Sequence, residues 1–110
     1  MSDTVPNQRP TFIEQSAFFL DALANASRLS VLQILAEGEV SVGPLSDKVG
    51  LSQSALSQHL AKLRAAGLVK TRREAQTIYY SCTSEAVHMI LAVLRSFFDE
   101  EVAIKKHYRA

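Results

Sequence analysis

A single cysteine, no tryptophan, three prolines and four glycines leave this 110-residue chain without the materials of several architectures. One thiol, Cys82, cannot close an internal disulfide, which excludes the disulfide-stapled folds of oxidising compartments. One cysteine beside three scattered histidines is also a poor metal cage. With 47% hydrophobic and 21% charged residues, the scarcity of proline and glycine excludes a disordered or low-complexity chain. No apolar run approaches the roughly 20 residues of a membrane span. Residues 1–11 are polar with no hydrophobic signal region, so the expectation is a cytoplasmic chain with no membrane partner. Enzyme signatures are missing too: there is no Gly-rich phosphate loop, no clustered acid pair, and no serine or cysteine in a nucleophile context. No catalytic residue, metal or cofactor is expected.

What is present is one domain's worth of chain with an uneven charge. A domain of this size buries roughly 60 to 70% of the surface its unfolded chain exposes, so self-association would add useful stability. The net charge of +1 conceals an asymmetry. Residues 1–40 carry two arginines against five acids, residues 41–83 carry six basic residues against two acids, and residues 84–110 balance at four of each. A basic middle in a near-neutral chain is the asymmetry of a surface that meets polyanions.

Periodicity divides the chain into helices and one hairpin. Residues 1–10, with two prolines and no period, read as a flexible arm, and 11–110 as the domain. Thr11 stands as an N-cap with Glu14 in the capping-box position, and Phe12, Ile13, Ser16, Ala17, Phe19, Leu20 and Leu23 follow at helical spacing. Asn25 caps a second helix, crowded with Leu29, Val31, Leu32, Ile34 and Leu35, that ends near Gly38. A short third helix, Val42 to Val49, stops at Gly50. After a turn of about three residues Ser52 caps a fourth, Gln53 to Ala66, with Leu56, Leu60 and Leu63 inward and Gly67 at its end. The period then changes to two: Leu68 to Arg73, a Glu74-Ala75 turn and Gln76 to Cys82 predict a β-hairpin. Thr83 or Ser84 caps a last helix with Val87, Ile90, Leu91, Leu94, Phe97 and Phe98 on one stripe and Ala86, Met89 and Val93 beside it.

This order predicts a mainly α fold with a β-hairpin wing: a winged helix-turn-helix with an extra helix at each end. Both outer helices have apolar faces broader than one neighbour needs. The expectation is a homodimer seamed by Phe12, Ile13, Phe19, Leu23, Ile90, Leu94, Phe97 and Phe98, with Met89 in core or seam rather than in a cofactor box. In a helix-turn-helix the second helix enters the major groove, so the face opposite its core stripe must carry small polar side chains. Gln53, Ser54, Ser57 and Gln58 face outward near that helix's start, and Lys62 and Arg64 follow. Gln pairs bidentately with adenine N6 and N7, Ser serves several partners, and the helix N-terminus favours phosphate. Arg72 and Arg73 are expected at the hairpin tip with Gln76 and Thr77 opposite, a basic loop for phosphates or a narrow minor groove. The expected partner is double-stranded DNA. The competing reading is a winged-helix module that binds protein and uses its basic wing as ordinary surface; steep salt dependence of DNA binding separates the two. His59 reads as a half-buried packing or phosphate-contacting residue. Cys82 precedes a helix N-terminus whose dipole could lower its pKa, yet with no second cysteine it reads as a small buried hydrophobe.

Residues 23–81, above all LSQSALSQHLAKLRAAGLV and REAQTIYYS, resemble the ArsR/SmtB family of bacterial winged-helix repressors, and the flanking helices extend the likeness over about residues 11–105. The resemblance implies a homodimer held by the first and last helices, bound to an inverted repeat in operator DNA, and transcriptional control as the function. Many members sense metals, and this chain departs from their patterns. Ser41 and Gly43 occupy the positions of the two cysteines in the ELCVCDL site, where thiolate would bind soft ions. The last helix offers Glu85, His88, Asp99, Glu100, Glu101 and His107, without the paired Asp-x-His and His-x-x-Glu spacing of the family's other site. The expectation is therefore a regulator without a metal effector; a thiol- or metal-responsive repressor of the same fold is the alternative.

Overall fold

Local chemistry sets the element boundaries before packing does. In the computed structural model, which describes residues 9–99, the Thr11 hydroxyl accepts from the Glu14 amide while the Glu14 carboxylate accepts from the Thr11 amide, at 3.0 and 2.9 Å. This capping box starts α1, Phe12–Leu23. Asn25 caps α2, Ala26–Leu35, through the Arg28 amide, and the two helices meet at 90°. That corner is held by the buried guanidinium of Arg28, which donates to the carbonyls of Ala22 and Asp21 at 2.6 and 3.0 Å and so satisfies the orphan end of α1.

A two-residue strand, β1 (Val40–Ser41), leads directly into α3, Val42–Val49. Pro44 at its third position has no amide hydrogen, which explains why Ser41 caps this helix without a side-chain hydrogen bond. Gly50, left-handed at φ 70°, ends α3, and Ser52 opens α4, Gln53–Ala65, by accepting from the Ala55 amide at 3.1 Å. The buried Ser46 hydroxyl donates to the Leu51 carbonyl and locks the turn between them.

After α4 come β2 (Lys70–Glu74), β3 (Thr77–Ser81) and α5 (Glu85–Phe98), the last capped by Ser84 rather than Thr83. The strands form an antiparallel sheet in the order β1-β3-β2. The core is Val31, Leu32 and Leu35 of α2, Leu45 of α3, Leu56, Leu60 and Leu63 of α4, and Val87 and Leu91 of α5. Leu60 is 1% exposed, and truncating such a leucine to alanine typically removes about 2–5 kcal/mol.

The fold is the expected mainly α winged helix-turn-helix, with three departures. The sheet has a third strand, β1, because two residues are too few to show alternation in a sequence. The first wing strand begins at Lys70 rather than Leu68, because the Leu68 amide donates to the Leu63 carbonyl at 3.0 Å and, with left-handed Gly67, closes α4; Leu68 and Val69 lie in the core. The hairpin turn is Ala75-Gln76 rather than Glu74-Ala75, since Glu74 pairs with Thr77 and Ala75 takes the positive φ of 56°. Alanine gives no sequence signal for a backbone that glycine or asparagine ordinarily supplies. The expected arm lies mostly outside the described residues, as do Glu100, Glu101 and His107.

Candidate nucleic-acid interface

The polar face of α4 is built as its leucine stripe dictates. With Leu56, Leu60 and Leu63 buried, Gln53, Ser54, Ser57, Gln58, Lys62 and Arg64 are all exposed. Residues 48–73 contain no acid at all. Ser52 uses one of the helix's first amides, and the others point outward at the positive end of the helix dipole, beside the two glutamines and two serines. His59 is half-buried at the edge of this face.

The wing stands beside that face. Val42 and Gly43 of α3, Ser57 of α4 and Gln76, Thr77, Ile78 and Tyr80 of the hairpin line one open groove of about 430 Å³. Ser57 of α4 and the Gln76-Thr77 pair of the wing, distant in sequence, therefore meet across one concavity, as a site flanked by helix and wing requires.

The two wing arginines do not share a situation. Both were expected at the tip; the observed register sets Arg73 opposite Ile78 and Arg72 opposite Tyr79, each inside the ladder. Because neighbouring strand residues point to opposite faces, they part company. Arg73 shares the face of Ile78 and Tyr80, which line the groove, and it is exposed with no ion pair to any described residue. Arg72 lies on the other face, with its guanidinium 4.7 Å above the Tyr79 ring. Its Nη2 and Nε donate to the Glu39 carboxylate at 2.6 and 3.1 Å, and its Nη1 donates to Glu74 at 3.0 Å. Those donated bonds, then the guanidinium's charge, hold the Glu39 carboxyl below its ordinary value, and Glu39 and Glu74 together raise Arg72 above its own. Arg72, expected as a contact to phosphate or a narrow minor groove, is thus ion-paired with two acids in the free chain, whereas Arg73 is not.

Lys62 is also engaged, its Nζ lying 3.2 Å from Asp21 of α1, whereas Arg64 has no described partner. Asp21, Glu39, Glu74 and Tyr79 were all missed as site residues. Glu39 lies 33 positions from Arg72, and the short strand that brings it near has no sequence signature.

On the outer helices Phe12, Ile13, Phe97 and Phe98 are 78, 69, 65 and 79% exposed, and Phe18, Leu20, Met89 and Val93 are exposed as well. Leu23, expected in the seam, is only 5% exposed and belongs to the single chain's core. Phe19 and Ile90 are half-buried against that core, and Leu94 and Phe98 line a groove of about 420 Å³ between α2 and α5. Among the described residues no group of three or more His, Cys, Asp or Glu converges as a metal site. Cys82 is buried, and its burial pushes the thiol up, outweighing the backbone amide of Ser84 that pulls it down.

The profile of the family "Bacterial regulatory protein, arsR family" matches residues 25–71, which span the helix-turn-helix and the start of the wing. The nodulation protein NolR of Rhizobium meliloti is 53% identical over 97 residues, covering 88% of this chain and 80% of that protein. The transcriptional activator HlyU of Vibrio cholerae is 48% identical over 84 residues, 76% of this chain and 78% of its own. The crystal structure of NolR from Sinorhizobium fredii superposes with a TM-score of 0.76 at 52% identity, covering 83% of this chain and 97% of that one. Fold, interface and relatives agree: this chain belongs to the arsR family of bacterial regulatory proteins and is a DNA-binding transcriptional regulator, not an enzyme.

Proposed function

We propose that the chain works in the cytoplasm as a homodimeric repressor that reads an inverted-repeat operator without a metal effector. The observation that carries this reading is the acid-free outer face of α4 set beside the wing, with Ser57, Gln76 and Thr77 on one groove. Gln53, Ser54, Ser57 and Gln58 contact base edges, and Arg64, Arg73, Gln76 and Thr77 contact the backbone that flanks them. Lys62 joins them where a phosphate competes with Asp21, an exposed pair worth about 0–1 kcal/mol.

Dimerisation rests on the apolar side chains left uncovered on α1 and α5, with Phe12, Ile13, Phe97 and Phe98 at its centre and Phe19, Ile90 and Leu94 at its edge. Two-fold symmetry then presents two recognition helices to one face of the duplex about one helical turn apart, or a multiple of it. One relative is named an activator and others are named repressors. Repression is the simpler act, since a dimer seated across a promoter needs no further surface. Ser41 and Gly43 supply no thiolate, and the raised Cys82 thiol lacks the thiolate character of a redox sensor.

Selection of bound sites from random duplexes, followed by footprinting, tests the reading. An inverted repeat with half-sites one turn or two apart supports it. Enrichment of no sequence, with binding that depends on salt alone, overturns it.

A further inference from the structure

The contacts of Arg72 go beyond a wing charge, and they rest for their meaning on the DNA-binding reading above. From β2 the side chain crosses over the Tyr79 ring on β3, the middle strand, and reaches Glu39 beside β1. It therefore spans the whole sheet. The in-plane nitrogens are taken up by Glu39 on one side and Glu74 on the other, and one face of the guanidinium lies on Tyr79. The two acids flank the guanidinium, so a phosphate brought to it meets their negative charges as well as its positive one.

We propose that Arg72 is a positioning residue: it fixes the wing to the segment that launches α3, and Arg73 alone of the pair meets phosphate. Glu39 immediately precedes β1, and Ser41 of β1 is the cap of α3. The clamp thus joins the hairpin to the first helix of the helix-turn-helix, and the distance between wing and recognition helix is set in the free protein. A lysine at position 72 keeps the charge but loses the fork and the stacked plane, whereas at a phosphate contact lysine is a competent substitute for arginine.

The test compares Arg72→Lys, Arg72→Gln, Arg73→Lys and Arg73→Gln. Binding to the selected operator is titrated at several salt concentrations, and amide exchange of Thr77–Ser81 is followed in the free protein. The expected result at position 73 is that glutamine flattens the salt slope by about one unit per wing while lysine restores it. At position 72 both substitutions weaken operator binding by about tenfold with the slope unchanged, and both speed exchange of the β3 amides. Equal flattening by Arg72→Gln and Arg73→Gln, with rescue by Arg72→Lys and unchanged exchange, overturns the proposal. Because exchange is read without DNA, faster β3 exchange in a protein that selects no operator sinks the DNA reading and leaves the clamp standing.

Discussion

Among the described residues, the half of the molecule that faces the groove has its large apolar side chains buried and its wing arginine Arg72 paired, and the half made by the outer helices leaves large apolar side chains exposed. Around α3, α4 and the wing, the leucines are buried and Arg72 is matched to Glu39 and Glu74. On α1 and α5 the same chain leaves four phenylalanines among its exposed large apolar side chains. The contrast separates contacts the chain makes with itself from surface open to a partner: the groove side is held by its own packing and ion pairs, and the outer helices are where the proposed dimer would bury apolar area.

Breaking the outer half should have the largest effect on DNA binding with the smallest effect on the fold. Phe97→Glu places a charge in the proposed seam, at a side chain that is 65% exposed. It should yield a folded monomer whose operator affinity falls by about 10²- to 10⁴-fold, as two linked half-sites become independent; sedimentation together with operator titration checks both halves of the statement. Breaking the other half inverts the pattern. Leu60→Ala should remove about 2–5 kcal/mol of stability, seen by denaturant unfolding, while whatever remains folded still dimerises.

Smaller effects sharpen the boundary between the two halves. Depression of the Glu39 carboxyl means that the Arg72 clamp contributes stability above the ordinary carboxylate value of 4.5 and loses it as pH falls through the lowered one. Tyr79 ring resonances should therefore stay constant at neutral pH and shift only below about pH 4.5. Smallest of all, a thiol reagent should modify Cys82 slowly at pH 7 in the folded protein, because burial disfavours the thiolate.

Much of this contrast was legible in the sequence. The capping box at Thr11, the caps at Asn25 and Ser52, the stops at Gly50 and Gly67 and the leucine stripe of α4 are local signals with local causes, and the polar face of α4 follows from them by elimination. What escaped was non-local or lacked a characteristic residue. Glu39 reaches Arg72 only through the two-residue strand that docks on β3. The turn moved by one residue because Ala75 adopts a glycine-like φ. The move changes each arginine's cross-strand partner but not its face, since Gln76 and Ile78 lie on the same side of β3 and Arg73 opposes that side in either register. Leu23 was assigned to the seam because an apolar stripe does not say which of its members the chain's own core will claim.

The central claim is that α4 reads bases while the wing holds the backbone. Its most direct test is a titration of wild type, Gln58→Ala and Arg73→Gln against the operator and a scrambled duplex at several salt concentrations. The account predicts that Gln58→Ala loses about 1–3 kcal/mol on the operator and little on the scramble, while Arg73→Gln weakens both and flattens the salt slope by about one unit per wing. Equal losses on both duplexes for Gln58→Ala, or no loss on either for Arg73→Gln, would contradict it.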